Sequence, residues 1–150
     1  MEKKSLESLV PLYFVYLAGG LLRGRTRLQK LTFVTQMKLD GYFDYKFHKD
    51  LYGPCSYKLY TIVDNLVTLG FMDSETHQTK SGNSVICYKL TPMGRSVVKS
   101  AIRNKEIPKP LQTNTKKIFS EYGNSSMIDL IRRVYKEYPD WTEKSIFFQV

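Results

Sequence analysis

The chain has 150 residues, of which 42% are hydrophobic, 25% charged and 13% aromatic, and its formal net charge at pH 7 is +9. This length and composition fit one domain, alone or with a short appendage, that has a substantial core, and they argue against a disordered chain. Two cysteines, Cys55 and Cys87, are too few for a disulfide framework, which favours a reducing compartment. The positive charge predicts an anionic partner, with nucleic acid first and an acidic protein or a membrane surface as alternatives.

The first predicted element is a helix from about residue 5 to residue 18. Lys3 and Lys4 precede its apolar run, an arrangement that loosely resembles a signal peptide. Glu7 and Pro11 argue against export, and the run is much shorter than the roughly 20 apolar residues that a membrane helix requires. We therefore expect a buried helix in a cytoplasmic protein that does not bind membranes.

A loop and a second helix are predicted next. Three glycines mark the loop: Gly19, Gly20 and Gly24. The residues Thr26-Arg27-Leu28-Gln29 match a capping box, in which a hydroxyl and an amide satisfy free backbone N–H groups at a helix start. Apolar residues then recur at helical spacing before Gly41: Leu28, Leu31, Val34 and one of Met37 or Lys38.

A third helix is predicted from Ser56, a good N-cap that follows the turn-forming pair Gly53-Pro54. Its apolar stripe has the spacing i, i+3, i+4, i+7: Leu59, Ile62, Val63 and Leu66. The opposite face is polar and hydrogen-bonding, with Asp64 as its acidic residue. Two strands, at about residues 71–75 and 85–90, follow around a Gly-Asn tip and predict a β-hairpin.

Thr91 and Pro92 are expected to cap a fourth helix with a defined buried side: Met93, Val97, Val98 and Ala101. Residues 104–113, which include two prolines, predict a linker. Beyond it we expect helices at about 116–122 and 126–138, the latter with its own apolar face: Met127, Ile131, Val134 and Tyr138. We expect Trp141 to anchor the tail.

The predicted order is helix, helix, turn, helix, two-stranded hairpin and helix. This order predicts a mainly α, α+β protein: a winged helix-turn-helix domain over residues 1–103 and a helical extension over residues 114–150. The extension is too short for a separate core, so we expect it to pack on the first domain or to mediate dimerisation. Residues 1–110 contain seventeen Lys and Arg against nine Asp and Glu, so the positive charge belongs almost entirely to the winged-helix part.

In helix-turn-helix proteins the second helix of the motif enters the major groove. The residues predicted to read bases lie on the polar face of the third helix: Tyr57, Lys58, Tyr60, Thr61 and Asn65. The predicted phosphate contacts are basic residues around the start of the second helix and at the hairpin tip: Arg23, Arg25, Arg27, Lys30 and Lys80. For each residue the alternative is a structural one, since lysine and arginine also keep surfaces soluble and tyrosine often packs between layers.

The sequence contains no catalytic or metal-binding constellation. His48, His77 and the two cysteines lack the C-x2-C and H-x3-H spacing of zinc sites. There is no P-loop, no G-x-G-x-x-G and no G-x-S-x-G. Cys55 lies near a helix start, where a thiolate is favoured, but neither histidine has a local signature of a partner, so a packed or semi-exposed thiol is expected. We therefore expect no enzyme activity, no metal and no cofactor.

Three stretches resemble a known family: Arg27-Leu28-Gln29-Lys30-Leu31; Tyr52-Gly53-Pro54-Cys55-Ser56 with Leu59 and Leu66 to Phe71; and Val134-Tyr135-Lys136-Glu137-Tyr138-Pro139 with Ser145. They are similar to YwgA-like winged-helix proteins of archaea and bacteria, and more distantly to SocA-like antitoxin domains. Cys55 departs from the pattern, which usually has an aromatic residue there. The resemblance implies a winged-helix fold and a regulatory or adaptor role, with no catalytic site or known ligand.

Two functions are compatible with these features. The first is a DNA-binding transcriptional regulator that binds double-stranded DNA, with homodimerisation as a further expectation because such readers commonly span two half-sites. The alternative is a protein-interaction module, such as an antitoxin, an adaptor or a replication accessory. The same tyrosines support it, since aromatic residues are also enriched at protein interfaces.

Overall fold

The structure is a computed structural model that describes residues 3–146. This part of the chain is α+β, as the sequence predicts, with six α-helices and two small antiparallel sheets. The elements follow in chain order: α1 (Lys3–Leu17), β1 (Leu21–Arg23), α2 (Arg25–Lys38), β2 (His48–Asp50), β3 (Gly53–Cys55), α3 (Tyr57–Thr68), β4 (Met72–Gln78), β5 (Ser84–Leu90), α4 (Pro92–Arg103), α5 (Lys109–Tyr122), α6 (Met127–Glu137) and a 3-10 turn (Pro139–Thr142).

The larger sheet has the strand order β1-β5-β4. Strands β4 and β5 form the predicted hairpin, which is longer than the sequence indicates and pairs Met72 with Leu90 at its base. Strand β1 lies on the other side of β5, with Leu22 opposite Tyr88. The sequence analysis missed β1, because three residues between glycines are too few to show an alternating pattern.

Helix α1 is buried along most of its length, which confirms the prediction of a core helix. Its fully buried side chains include Val10, Leu12, Phe14 and Val15. Phe14 packs edge-on against Phe119 of α5, with the ring centroids 5.1 Å apart. Within residues 3–146, no helix combines the length and the apolar content needed to cross a membrane.

The start of α2 differs from the predicted capping box. The helix begins at Arg25, and its N-cap residue Gly24 has φ +105° and provides no side-chain cap. Gln29 is not available for capping because its amide is bound to the backbone of Ser56. The capping-box prediction is therefore wrong, and a long-range contact takes the amide that the local motif would have used.

Two glutamines of α2 hold the segment that connects α2 to α3. The Gln29 amide donates to the Ser56 carbonyl at 2.9 Å and accepts from the Ser56 N–H at 2.8 Å. Gln36, seven residues later on the same face, makes the same pair of bonds with Tyr45, at 2.8 and 2.7 Å. Each glutamine amide thus pairs with both the N–H and the C=O of one residue, as a neighbouring strand would. The two pairs fix the connecting segment, residues 39–56, which also contains the paired strands β2 and β3.

The predicted caps of α3 and α4 are confirmed. The Ser56 hydroxyl accepts from the Leu59 N–H at 3.2 Å, and the Thr91 hydroxyl accepts from the Gly94 N–H at 3.1 Å. Leu59 is buried, as its stripe predicts. Met93 differs from its predicted place on the buried side, since it is 55% exposed. It lies outside the buried stripe of α4, which has the spacing i, i+4, i+7: Gly94, Val98 and Ala101.

The C-terminal helices pack against α2. Half of the predicted linker is helical, because α5 begins at Lys109 and proline is tolerated in a first helical turn, where N–H groups have no intrahelical partner. Trp141 contacts the body as expected, with its ring centroid 5.1 Å from that of Phe33. Phe33 also packs edge-on against Phe47 and Tyr138, so one aromatic cluster joins the connecting segment, α2 and the extension.

Candidate functional site

The first turns of α2 and α3 lie side by side. The Arg25 guanidinium is 3.9 Å from the centroid of the Tyr60 ring. The Arg25 Nε is buried and has no hydrogen-bond partner among the described residues, so contact with the ring replaces hydration there. Burial raises the pKa of Tyr60, and its hydrogen bond with the Cys55 thiol raises it further. Two predicted residues, one for phosphate and one for bases, therefore form one packed unit.

The outward face of α3 presents three of the predicted base-reading residues: Tyr57, Thr61 and Asn65 are all exposed. The Tyr57 hydroxyl donates to the Asp50 carboxylate at 2.8 Å, and the Thr61 hydroxyl donates to the Tyr57 carbonyl at 3.2 Å. Hydroxyl and amide groups can pair with base edges, but the exposed Asp64 on the same helix adds a negative charge. Whether this face reads bases stays a prediction.

Lys58 lies on a different side of α3. Its ammonium pairs with the carboxylate of Glu7, whose side chain is 5% exposed. Glu7 also accepts a hydrogen bond from the Asp44 N–H at 3.1 Å. Moving Lys58 to a base would leave a buried carboxylate without its cation, which is costly. Lys58 therefore joins α3 to α1, and we do not retain it as a base-reading residue.

An arginine group, defined as Arg23, Arg25 and Arg27, surrounds the start of α2. None of the three has a carboxylate within 4 Å among residues 3–146. Arg23 is exposed and its Nη1 lies 3.3 Å from His77 Nδ1. Arg27 donates to the backbone carbonyls of Arg23 and Gly123, at 2.9 and 3.0 Å, and burial lowers its pKa. The group therefore carries uncompensated positive charge at an uncapped helix start, where anions are favoured.

Lys30 is not at the surface, contrary to its predicted contact with phosphate. Its side chain is 1% exposed, and its ammonium donates to the Pro54 carbonyl at 3.0 Å. Burial lowers its pKa from 10.5 to about 8, while the Cys55 thiol and Asp50 oppose this shift. An ammonium enclosed in this way cannot reach a DNA phosphate. The sequence pattern could not show this, because a helical face with both Gln29 and Lys30 looks solvated until its partner is known.

Lys80 lies in the exposed turn between β4 and β5, as predicted. Thr79, Ser81 and Asn83 form hydrogen bonds within this turn, which keep its tip compact. The same hairpin carries Glu75, whose carboxylate lies 2.8 Å from His77 Nε2. The hairpin therefore carries both positive and negative side chains. A phosphate contact by Lys80 stays a prediction.

His48 and Cys55 lie opposite each other in the β2–β3 pair, and the other cysteine and histidine lie on the larger sheet. Cys55 and Cys87 are buried and free, and burial raises the pKa of the Cys55 thiol. Cys55 is thus a packed thiol, which is one of the two environments expected from the sequence. The His48 ring stacks on Tyr57 with the centroids 4.9 Å apart, whereas His77 lies on β4. The described part of the chain contains no group of three or more His, Cys, Asp and Glu side chains arranged to hold a metal ion.

Sequence reasoning missed two acidic residues that matter at this site. Glu7 positions Lys58, and Asp50 receives the Tyr57 hydroxyl. The signal for Glu7 was its place beside an apolar run, where a charged side chain needs a partner. Asp50 had no signal, since it lies in an irregular connecting segment whose path depends on the glutamines of α2.

The described residues form an α+β protein whose small three-stranded sheet lies beside a surface made by the starts of α2 and α3. No protein-family model matches the chain. Over 88 residues the chain is 33% identical to the protein of Bacillus subtilis (strain 168) named "Uncharacterized protein YwgA". The similarity covers 58% of this chain and 51% of that protein, so the chain matches about half of its relative. It supports a distant relationship to YwgA-like proteins.

Proposed function

We propose that the protein is a winged-helix DNA-binding protein that acts as a transcriptional regulator. The order of elements supports the fold: α1, β1, α2, α3, the β4–β5 hairpin and α4, with the strand order β1-β5-β4. In this arrangement α3 is the recognition helix and the β4–β5 hairpin is the wing. The connection between α2 and α3 is longer than the three or four residues of a simple helix-turn-helix, because β2 and β3 are inserted there.

One observation carries the proposal. The exposed polar face of α3 adjoins the arginine group, through the contact between Arg25 and Tyr60. A recognition helix requires such a neighbour, since phosphate contacts set its register and base contacts then select the sequence. The revised interface consists of Arg23, Arg25 and Lys80 for phosphate and of Tyr57, Thr61 and Asn65 for bases. Arg27 is left out of the phosphate set because its guanidinium is partly buried and donates to two backbone carbonyls. The Tyr60 ring packs against the Arg25 guanidinium and holds it in place. Homodimerisation stays a prediction.

The proposal predicts DNA binding that depends on salt and on the arginine group. In the double variant R23Q/R25Q we expect affinity for a 24-base-pair duplex of mixed sequence to fall about tenfold and the salt slope to fall by about 2, because two phosphate contacts are lost. Fluorescence anisotropy between roughly 50 and 200 mM salt measures both quantities. The matched control is K99Q/R103Q, which removes two exposed charges from α4 and should leave the affinity within a factor of about 2.

Equal losses in the two double variants would reduce the effect to total charge and contradict the proposed interface. Circular dichroism checks that R23Q/R25Q is folded. Selection of bound sequences from a random duplex pool, repeated with N65A, tests base reading separately. A consensus that changes at one or two positions in N65A supports α3 as the recognition helix, and the absence of any enriched sequence contradicts it.

A second function has an observation of its own. Leu51, Tyr52 and Tyr57 line one small pocket and are each about half exposed, at 50%, 48% and 54%. Exposed aromatic side chains of this kind are typical of protein interfaces. Two results together would favour a protein-interaction module over a DNA-binding regulator. The protein would not bind DNA even at low salt, and Y52A/Y57A would abolish capture of one stoichiometric protein partner.

A further inference from the structure

A cleft of about 710 Å³ lies between the body of the protein and its C-terminal helices. One wall is formed by the end of α1 and by β1, the other by the last turns of α5 and the turn after it, and α2 forms the floor. Its volume is within the range of small-molecule sites, about 300–1,000 Å³. The cleft adjoins the proposed DNA interface only through Arg23, and the inference drawn from it does not depend on DNA binding.

The cleft has an apolar part and a cationic part. Leu17, Leu21 and Phe119 provide hydrocarbon and ring surface, whereas Arg23, Arg27 and Lys116 provide positive charge. Its described lining includes no aspartate or glutamate. None of the three cations has a carboxylate within 4 Å in the described part of the chain. The lining therefore has the polarity of a site for an anion with an apolar body.

Arg27 provides the main evidence that this cleft binds an anion. It is partly buried, and the two acceptors recorded for it, the carbonyls of Arg23 and Gly123, are neutral. A guanidinium has five N–H donors, so donors remain after these two bonds. A partly buried cation without a counter-charge is unfavourable, and an anion in the cleft would relieve that cost. The start of α2 beside it has no side-chain cap, and the positive end of the helix dipole has the same polarity.

We propose that this cleft binds a small organic acid, a carboxylate attached to a medium-length hydrocarbon or aromatic body. The carboxylate pairs with Arg27 and Lys116, and the apolar body lies against Leu17, Leu21 and Phe119. The acid would bridge the body and the extension, which Arg27 already joins through its bond to the Gly123 carbonyl.

The test measures displacement of the fluorescent anion 8-anilinonaphthalene-1-sulfonate from the full chain, in the absence of DNA. Decanoate should displace the dye at least about tenfold better than decanol, which has the same hydrocarbon but no charge. K116Q should weaken decanoate about fivefold, whereas the matched control K117Q, a neighbouring exposed lysine outside the lining, should have no effect. S120W, which places a large side chain at an exposed position of the lining, should abolish competition.

Equal displacement by decanoate and decanol, or equal effects of K116Q and K117Q, would overturn the proposal. Competition by inorganic phosphate as strong as that by decanoate would show a simple anion site and would also overturn it. The displacement test contains no DNA, so a negative result would not contradict the proposed DNA binding. A negative result in the DNA-binding test would likewise not contradict ligand binding in the cleft. Thermal unfolding of each variant confirms that it is folded.

Discussion

The free energy of unfolding is expected to rise between pH 7 and pH 9, because of Lys30. In the unfolded chain this lysine keeps its proton up to its ordinary pKa of 10.5, whereas in the folded protein burial lowers the pKa to about 8. Between these values the unfolded state binds more protons, so raising the pH favours the folded state. The slope approaches about 1 kcal/mol per pH unit, and the full shift corresponds to about 3 kcal/mol.

The rise should be limited at its alkaline end. Burial also raises the pKa of the Cys55 thiol and of several tyrosines, among them Tyr88. Above about pH 9 the unfolded state loses these protons while the folded state keeps them, so their contribution falls as the pH rises further. The useful window therefore lies between pH 7 and pH 9, where Lys30 dominates.

The variant K30M isolates the effect. Methionine fills a similar space without a buried charge, although the Pro54 carbonyl loses its donor, so we expect K30M to be more stable than the wild type by about 2 kcal/mol at pH 7. The difference should shrink by about 1 kcal/mol between pH 7 and pH 9, as Lys30 becomes neutral in the folded wild type. Urea denaturation at several pH values measures it, with K46M, at an exposed lysine, as the control. A difference between K30M and the wild type that stays constant with pH would refute the assignment.

Replacing Gln29 with leucine is expected to destabilise the protein by about 2 kcal/mol, since it leaves the buried N–H of Ser56 without a partner. The Ser56 carbonyl would keep only its long bond from the Tyr60 N–H, at 3.4 Å. Leucine matches the buried volume, so the cost reports the lost hydrogen bonds rather than a cavity. The start of α3 depends on Ser56, and we expect Q29L to loosen that helix as well. Denaturant unfolding measures the loss, and amide hydrogen exchange in α3 locates it.

The matched control for Q29L is Q78L, at an exposed residue near the tip of β4. It changes the same chemical group without removing a described side-chain hydrogen bond, so its effect should stay within about 0.5 kcal/mol. A loss in Q29L no larger than that in Q78L would mean that the bridge between α2 and Ser56 contributes little.

Local patterns predict a large part of this fold. Ser56 and Thr91 act as caps because each hydroxyl needs only an N–H three residues away. Leu59 and Val63 are buried because their spacing puts them on one side of α3. In these cases the interacting groups lie within one or two turns of each other, so the sequence contains both partners in one short window.

The site was less predictable, because its polar residues have partners far along the chain. Gln29, Lys30 and Arg27 form a polar stretch that reads as a solvated helix start. The structure instead directs them to Ser56, Pro54 and Gly123, which are 27, 24 and 96 residues away. No helical period distinguishes a polar residue on the surface from one that satisfies a buried backbone group.

By itself the sequence determined the α+β class of the protein, most of its helices and its hairpin, the caps of α3 and α4, and the concentration of positive charge before residue 111. Only the tertiary structure decided which charges remain available. It buried Lys30, paired Lys58 with Glu7, and left the arginine group without carboxylate partners among the described residues. The physical reason is that a charge is free or committed according to its neighbours in space, and here those neighbours come from distant parts of the chain.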